Sequence, residues 1–331
     1  MISSENTVWM SVHLFYAEPW EDFITGKIIP LVDELKRKGW ARQFFFIRYW
    51  EGGAHIRLRL QGEKNTVEHE VRPYVDHFFN SYFSQFPSVT PALPEEATNY
   101  PNNSVQFIPY EPETERYGGP QALSLAETHF QLSSIVVTQL FSSSWNHSNA
   151  LTAAIQLHLA FAHAVGFTQA ETAYLFSLLF KGTALNSLNI SQDFAADEIP
   201  DERYLRLLGV MSEKFLPQRD ALTAYHENIW RALDENGYAA LENKALELWY
   251  RGNQEIATKL SILQEKGDFI PIPEFRFNAN EPIAKEKQQL MVVYTSYIHM
   301  TNNRLGIIHL DESYLAYLIM KSLQQLLLRH E

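Results

Sequence analysis

The sequence predicts an α+β fold, with an N-terminal, mostly antiparallel sheet and covering helices followed by a large helical portion. Three observations carry this. Residues 9–16 and 44–60 are short runs rich in β-formers, the second interrupted by Gly52-Gly53 in the manner of a β-hairpin. Residues 19–39 and 65–86 space their apolar side chains as amphipathic helices do. From Pro120 onward, helical spacing recurs in segment after segment. With no internal repeat, low-complexity tract or linker, residues 1–331 read as a single domain, α+β at 1–120 and mainly helical at 121–331.

Trp9–Tyr16 (WMSVHLFY) is expected to be a buried strand. Pro19–Gly39 follows as a helix with Phe23, Ile28, Leu31, Val32 and Leu35 on its apolar side and a basic last turn. In the hairpin, a two-residue Gly52-Gly53 turn would pair Trp50 with His55, Arg48 with Arg57 and Phe46 with Arg59. Phe46, Arg48, Trp50, His55, Arg57 and Arg59 then share one face, and Phe45, Ile47, Tyr49, Ile56, Leu58 and Leu60 the other. The second face is fit for a core. The first sets Arg48 opposite Arg57, an arrangement that repels. Its arginines are either solvated or paired with distant carboxylates, or they form an anion site, because a guanidinium grips a carboxylate through two parallel hydrogen bonds. His55 would add a titratable donor there.

Beyond the hairpin, Asn65–Phe86 reads as a helix, residues 87–103 as a long loop and Ser104–Tyr110 (SVQFIPY) as a strand. Helices are expected at Leu123–Phe141, Asn149–Val165, Ala170–Phe180, Glu202–Phe215, Asp220–Asp234, Tyr238–Gln264, Ala284–Met300 and Asp311–His330. Lys181-Gly182, Ser191–Pro200 and Lys266–Pro282 separate them.

Composition bounds the function classes. Hydrophobic content of 46% and charged content of 20% are those of a soluble globular protein. A net charge of −12 argues against nonspecific binding to nucleic acid or anionic membranes, and makes an arginine cluster stand out. The absence of cysteine excludes disulfides, thiolate metal sites and a cysteine nucleophile. The start MISSENTVW lacks the charged and apolar regions of a signal peptide, and no apolar stretch approaches ~18 residues, so the cytoplasm is the expected compartment. Neither a phosphate-binding Gly-rich loop with a following Lys-Ser or Lys-Thr nor an H-E-x-x-H metal motif is present. His158 and His163, five apart among apolar neighbours, read as core or lining residues.

Two further segments carry candidate chemistry. Tyr110-Glu-Pro-Glu-Thr-Glu-Arg116-Tyr117-Gly118-Gly119-Pro120 leaves a strand and enters a helix, presenting Arg116 beside a glycine pair that permits a tight bend. Glu111, Glu113, Glu115 and Glu127 are alternative partners for that arginine. The other is Tyr294–Gly306, where His299, Asn302, Asn303 and Arg304 make a polar cluster at the end of an otherwise apolar helix. A histidine there either complements the helix dipole or exchanges a proton near neutral pH.

Taken together, F-F-I-R-Y-x-x-G-x-H-I-R-L-R at Phe45–Arg59, Y-x-P-E-x-E-R-Y-G-G at Tyr110–Gly119 and H-M-x-x-N-R-L at His299–Leu305 resemble the thiopeptide-type bacteriocin biosynthesis domain. This is the small C-terminal elimination domain of lantibiotic dehydratases, related to thiopeptide pyridine synthases, and here it would stand free. The resemblance runs from the first strand to the last helix, with a longer interval between Arg59 and Arg116 through the Pro-rich stretch. It implies a lyase that removes glutamate from glutamylated Ser or Thr of a ribosomal precursor peptide, leaving dehydroalanine or dehydrobutyrine. The alternatives are a [4+2] cycloaddition that forms a thiopeptide macrocycle and a non-catalytic role as a peptide-binding partner. Implied partners are the precursor peptide and a separate tRNA-dependent glutamylation protein, with no nucleic acid or membrane bound directly. No metal or organic cofactor is implied, and a homodimer is allowed but specified by no pattern. Family positions fall on Arg57, Arg59, Arg116 and His299 as catalytic residues. Arg48, His55, Tyr117, Asn303 and Arg304 are secondary candidates for substrate binding.

Overall fold

A computed structural model describes residues 6–89, 100–190, 201–241, 243–273 and 275–330. The expected separator at Ser191–Pro200 and most of the loop at 87–103 lie outside them. The chain divides into two compact units, Met1–Glu113 with Phe130–Trp145, and Thr114–His129 with Asn146–Glu331.

The first unit holds a four-stranded antiparallel sheet ordered β2-β3-β1-β4, from β1 (Thr7–Phe15), β2 (Gln43–Tyr49), β3 (His55–Glu63) and β4 (Ser104–Gln106). Two helical runs cover one face. The first, α1, joins Glu21–Phe23, a π turn at Ile24–Ile28 and Ile29–Arg37; the second, α2, joins Lys64–Thr66, a π turn at Val67–Val71 and Arg72–Gln85. Met10, Val12 and Leu14 of β1 lie beside Ile56, Leu58 and Leu60 of β3 and Phe44 and Phe46 of β2. Against them pack Phe23, Ile24, Ile28 and Val32 of α1 and Val71, Val75, Phe79 and Phe83 of α2. Burying this apolar area is the main stabilising term for the unit.

The hairpin register differs from expectation by one residue. Tyr49 pairs with His55, Arg48 with Ile56, Ile47 with Arg57 and Phe45 with Arg59, so the connection is the longer Trp50–Ala54 and not a two-residue turn. Because side chains alternate, this slip moves all of β2 to opposite faces. Arg48 joins the core side with Ile56 and Leu58, while Arg57 and Arg59 share their face with Phe45, Ile47 and Tyr49. Arg48 is 3% exposed and donates to Glu21 Oε1 at 2.8 Å, with its guanidinium over the Trp20 and Phe141 rings. It is therefore tied to the core of this unit and does not stand opposite Arg57. At the open edge of β2, the Phe44 and Phe46 N–H groups donate to Gln131 Oε1 and Ser134 Oγ (3.0 and 3.3 Å), which blocks strand addition. The strand expected over Ser104–Tyr110 ends at Gln106, ahead of Pro109, which cannot donate to a ladder.

The second unit is helical. Its elements are the start of α3 (Pro120–Leu140), then α4 (His147–Ala164), α5 (Gln169–Ser187), α6 (Glu202–Phe215), α7 (Arg219–Asn236), α8 (Lys244–Lys266), α9 (Lys285–Leu305) and α10 (Leu310–His330). Short 3₁₀ turns at Leu216–Gln218 and Gly237–Ala240 flank α7, so α8 starts later than expected. Capping boxes start α4 (Asn146 with Asn149) and α5 (Thr168 with Glu171). The expected break at Lys181-Gly182 is absent: α5 continues to Ser187, because burial of Phe180, Ala184 and Leu185 outweighs the ~1 kcal/mol cost of a helical glycine. α9 continues beyond Met300 to Leu305 and ends at Gly306, whose φ of 83° makes the left-handed cap. The polar cluster at 299–304 is thus helical and its last three members are buried, held by tertiary partners.

Candidate functional site

In the first unit, the sheet face opposite the α1 and α2 core carries Ser11 and His13 from β1 and His55, Arg57 and Arg59 from β3. Alternation puts them together: Ser11 lies across from Arg59 and His13 across from Arg57. Arg59 is 5% exposed, donates to Ser11 Oγ and stands 5.2 Å from the Tyr110 ring. Its Nε is buried without a hydrogen-bond partner among the described residues. Arg57 lies flat on Tyr49 at 3.3 Å and donates from Nε to His55 Nε2 at 3.2 Å. His55 in turn donates from Nδ1 to the Gly53 carbonyl (2.6 Å), a tautomer that leaves Nε2 as the acceptor. His13 stacks on His55, with ring centroids 5.0 Å apart.

The charge balance of this face is one-sided. Among the described residues, no carboxylate stands within ion-pair distance of Arg57 or Arg59. Glu51, the acid whose charge acts on Arg57, accepts a hydrogen bond from Tyr49. Burial, then Arg57, brings the Arg59 guanidinium down to about 10, so it stays protonated at neutral pH. Burial and the two arginines hold His55 at about 4, and burial with Arg59, Arg57 and His55 holds His13 at about 3. Among the described residues this face therefore carries two cations and two neutral imidazoles with no paired acid.

In the second unit, α9 and the loop before α3 present another group. Arg116 donates from Nε to Ser296 Oγ at 3.0 Å, and Ser296 precedes His299 by three residues, which makes them neighbours on the helix surface. His299 Nδ1 meets both carboxylate oxygens of Glu312, at 2.8 and 3.0 Å, from the first turn of α10. The carboxylate is 3% exposed, whereas the His299 side chain is 44% exposed. Glu312 also accepts from Asn302 Nδ2 (3.1 Å), and Asn302 Oδ1 accepts from His158 Nε2 (2.7 Å). The donors and acceptors of this network are consistent with one tautomer: Nδ1–H toward Glu312, with His299 Nε2 as the acceptor nitrogen. A buried carboxylate behind an imidazole orients it and stabilises the imidazolium when a proton arrives.

Of the expected site residues, Arg57, Arg59 and His55 are neighbours in the first unit, and Arg116 and His299 are linked through α9 in the second. Tyr117 is buried and stacks on Tyr297, with centroids 6.2 Å apart, and Tyr297 stacks on His129 at 4.1 Å. Asn303 is buried. Arg304 is fully buried and donates to the Met300 carbonyl at 2.6 Å, a bond within its own helix near the C-terminal end. Arg116 is set by the glycine pair: Gly118 and Gly119 have φ of 90° and 93°, and the Gly118 carbonyl accepts from Ile270 N–H (2.9 Å). A Cβ on Gly118 would run into the Phe269 ring. Gly118→Ala is expected to cost about 1–3 kcal/mol, read as a lower denaturation midpoint, and to reduce activity by displacing Arg116.

Sequence reasoning missed Ser11, His13 and Glu312 as members of these groups, and read His158 as a core or lining residue. The signal for the first two was present, since Ser11 and His13 are the polar residues on alternate positions of an otherwise apolar strand. Glu312 carries no comparable signal; only the turn after Gly306, which brings the start of α10 back to α9, sets it beside His299. Among the described residues, no three His, Asp or Glu side chains gather to hold a metal ion, and no helix is long and apolar enough to cross a membrane.

The buried imidazoles predict an acid-sensitive fold. Burial holds His158 and His226 at about 4, adding to the depressed His55 and His13, and pushes His129 well below its ordinary value. Below pH ~6.5 the unfolded chain binds protons that the folded chain refuses, so stability is full above that pH and falls as pH drops toward 4. Urea midpoints measured at pH 7.5 and 5 should differ, with the lower value at pH 5.

Comparison with known proteins bears on these groups. The family described as "Lantibiotic biosynthesis dehydratase C-term" matches residues 9–323. The chain belongs to that family. Epidermin biosynthesis protein EpiB of Staphylococcus epidermidis is 25% identical over 150 residues, 45% of this chain but only 14% of EpiB. Among solved structures, the pyridine synthase TbtD from thiomuracin biosynthesis is similar at a TM-score of 0.69 and 19% identity, over 95% of this chain and 97% of TbtD. The tRNA-dependent lantibiotic dehydratase MibB from Microbispora sp. 107891 is similar at 0.63 and 18% identity, over 100% of this chain and 29% of MibB. The dehydratase C-terminal fold is thus shared by a protein of this chain's own length and by a part of a longer dehydratase.

Proposed function

We propose that this family member eliminates glutamate from glutamylated Ser or Thr of a ribosomal precursor peptide, giving dehydroalanine or dehydrobutyrine. One observation carries the reading: Arg59, which is buried, and Arg57, which is partly so, have no carboxylate within ion-pair distance among the described residues. A buried cation without its counter-ion is costly, and the site becomes favourable when an anion arrives. Glutamate leaving an ester already carries one free carboxylate and gains a second, whereas the two dehydroalanines of a cycloaddition are neutral.

The reaction has a balanced course. His299 Nε2 takes the Cα proton, with Glu312 behind Nδ1 to stabilise the imidazolium. The electron pair of the C–H bond forms the Cα–Cβ double bond, and the Cβ–O bond breaks with its electrons on the departing glutamate carboxylate. Arg57 and Arg59 hold the carboxylates, where fixed guanidinium donors favour developing negative charge. Arg116, anchored on Ser296 one helical turn from the base, assists the leaving group.

The test is incubation with a glutamylated precursor peptide, followed by mass spectrometry. Loss of glutamate without ring formation is the expected result. An unchanged glutamyl peptide, together with conversion of a bis-dehydroalanine peptide to a ring, overturns the reading in favour of cycloaddition. A peptide-binding role without catalysis predicts that His299→Ala and Arg116→Ala leave product formation intact.

A further inference from the structure

We propose that His13 is a further ligand-contacting residue of the Arg57–Arg59 site, a neutral imidazole that hydrogen-bonds the carboxylate of the glutamyl group. The proposal rests on the elimination reading for the identity of its ligand. Its geometric grounds are independent of that reading.

His13 occupies β1 directly across from Arg57, one alternate position from Ser11, which receives the Arg59 guanidinium. The side chain is 4% exposed, and its Nε2 has no hydrogen-bond partner among the described residues. A buried imidazole nitrogen left without a partner costs free energy, and native interiors rarely tolerate it without a reason. Arg59 Nε, on the same face, is in the same state. Two unmet polar atoms beside two cations point to one missing ligand that is both anionic and rich in acceptors. A carboxylate meets that description, because its two oxygens offer about four lone-pair sites.

The histidine is suited to this role because it is neutral. The groups that face it are His55, stacked on its ring, and the Arg57 and Arg59 guanidiniums, with Phe15 flanking His55. All of the charged ones are cationic, so a third charge on His13 is disfavoured in the free protein. As a neutral group it donates one N–H without adding repulsion. An arriving carboxylate would offset the arginines and make that donor stronger.

The experiment uses the full chain and two substitutions. His13→Leu removes both ring nitrogens, while His13→Gln keeps an amide that reaches the Nε2 position. Binding of free L-glutamate, with L-glutamine as control, is followed by calorimetry, and KM and kcat are measured on the glutamylated peptide. The proposal expects His13→Leu to weaken glutamate binding and raise KM about tenfold or more, with His13→Gln recovering most of the loss. In ¹⁵N spectra of the wild-type chain, the His13 ring signals should shift on addition of glutamate. Unchanged glutamate affinity and KM in a folded His13→Leu chain overturn the assignment, as does equal loss in His13→Gln. The two readings fail differently. A chain that eliminates glutamate regardless of His13 sinks only this proposal. A chain that binds glutamate through His13 but leaves the glutamyl peptide intact sinks only the elimination.

Discussion

His299→Ala is expected to lower glutamate elimination about 10²–10⁴-fold, the range over which a positioned acid–base group contributes. The glutamylated peptide should accumulate, identified by its intact mass, while binding of that peptide changes little. The size of the effect depends on Glu312. Its carboxylate, buried and bonded to His299 Nδ1 at 2.8 Å, fixes the orientation of the ring. Glu312→Gln keeps the shape and removes the charge, so a loss of about 10–100-fold is expected, smaller than that of His299→Ala. Because both act through one proton transfer, the double substitution should be scarcely worse than His299→Ala alone. Additive losses in a pH-rate series would separate the two residues and remove Glu312 from the role.

The second large effect is expected at Arg59, where activity and stability should move in opposite directions. Arg59 is 5% exposed, repelled by Arg57 and bonded to Ser11, with its Nε unmet among the described residues. Replacing a buried, uncompensated charge by an apolar side chain of similar length is often neutral or stabilising. Arg59→Met is therefore expected to hold or raise the melting temperature by a few degrees. Elimination should nevertheless fall by about 10²–10³, as when one donor to a developing anion is lost. A buried arginine kept only for structure predicts the reverse, a lower melting temperature with activity per folded molecule intact. Calorimetry and single-turnover elimination on the same preparation decide between them.

How much of this was legible beforehand varies residue by residue. On β3 the alternation of His55, Arg57 and Arg59 with Ile56, Leu58 and Leu60 is unambiguous, and the structure places those two sets on opposite faces. On β2 it is not, since Phe44 and Phe46 alternate with Phe45 and Ile47 and either set suits a core. Register then depended on the connection, and the glycine pair suggested a shorter one than Trp50–Ala54. The consequence fell on Arg48, which belongs with Glu21 and not with Arg57. Helix ends were similarly underdetermined: Asn302 and Asn303 favour termination by propensity, yet α9 carries them because each is buried.

The sequence by itself determined the class of fold, the order of its strands and helices, and the family through Arg57, Arg59, Arg116 and His299. These follow from local periodicity and from short motifs whose members are near one another in the chain. Only the tertiary structure decided which arginine is buried for the core, that His13 and Ser11 join the arginine face, and that Glu312 stands behind His299. The reason is physical. Strand register and the partners of a buried polar group are set by which distant surfaces pack together, and a strand with two apolar faces leaves that choice to the packing.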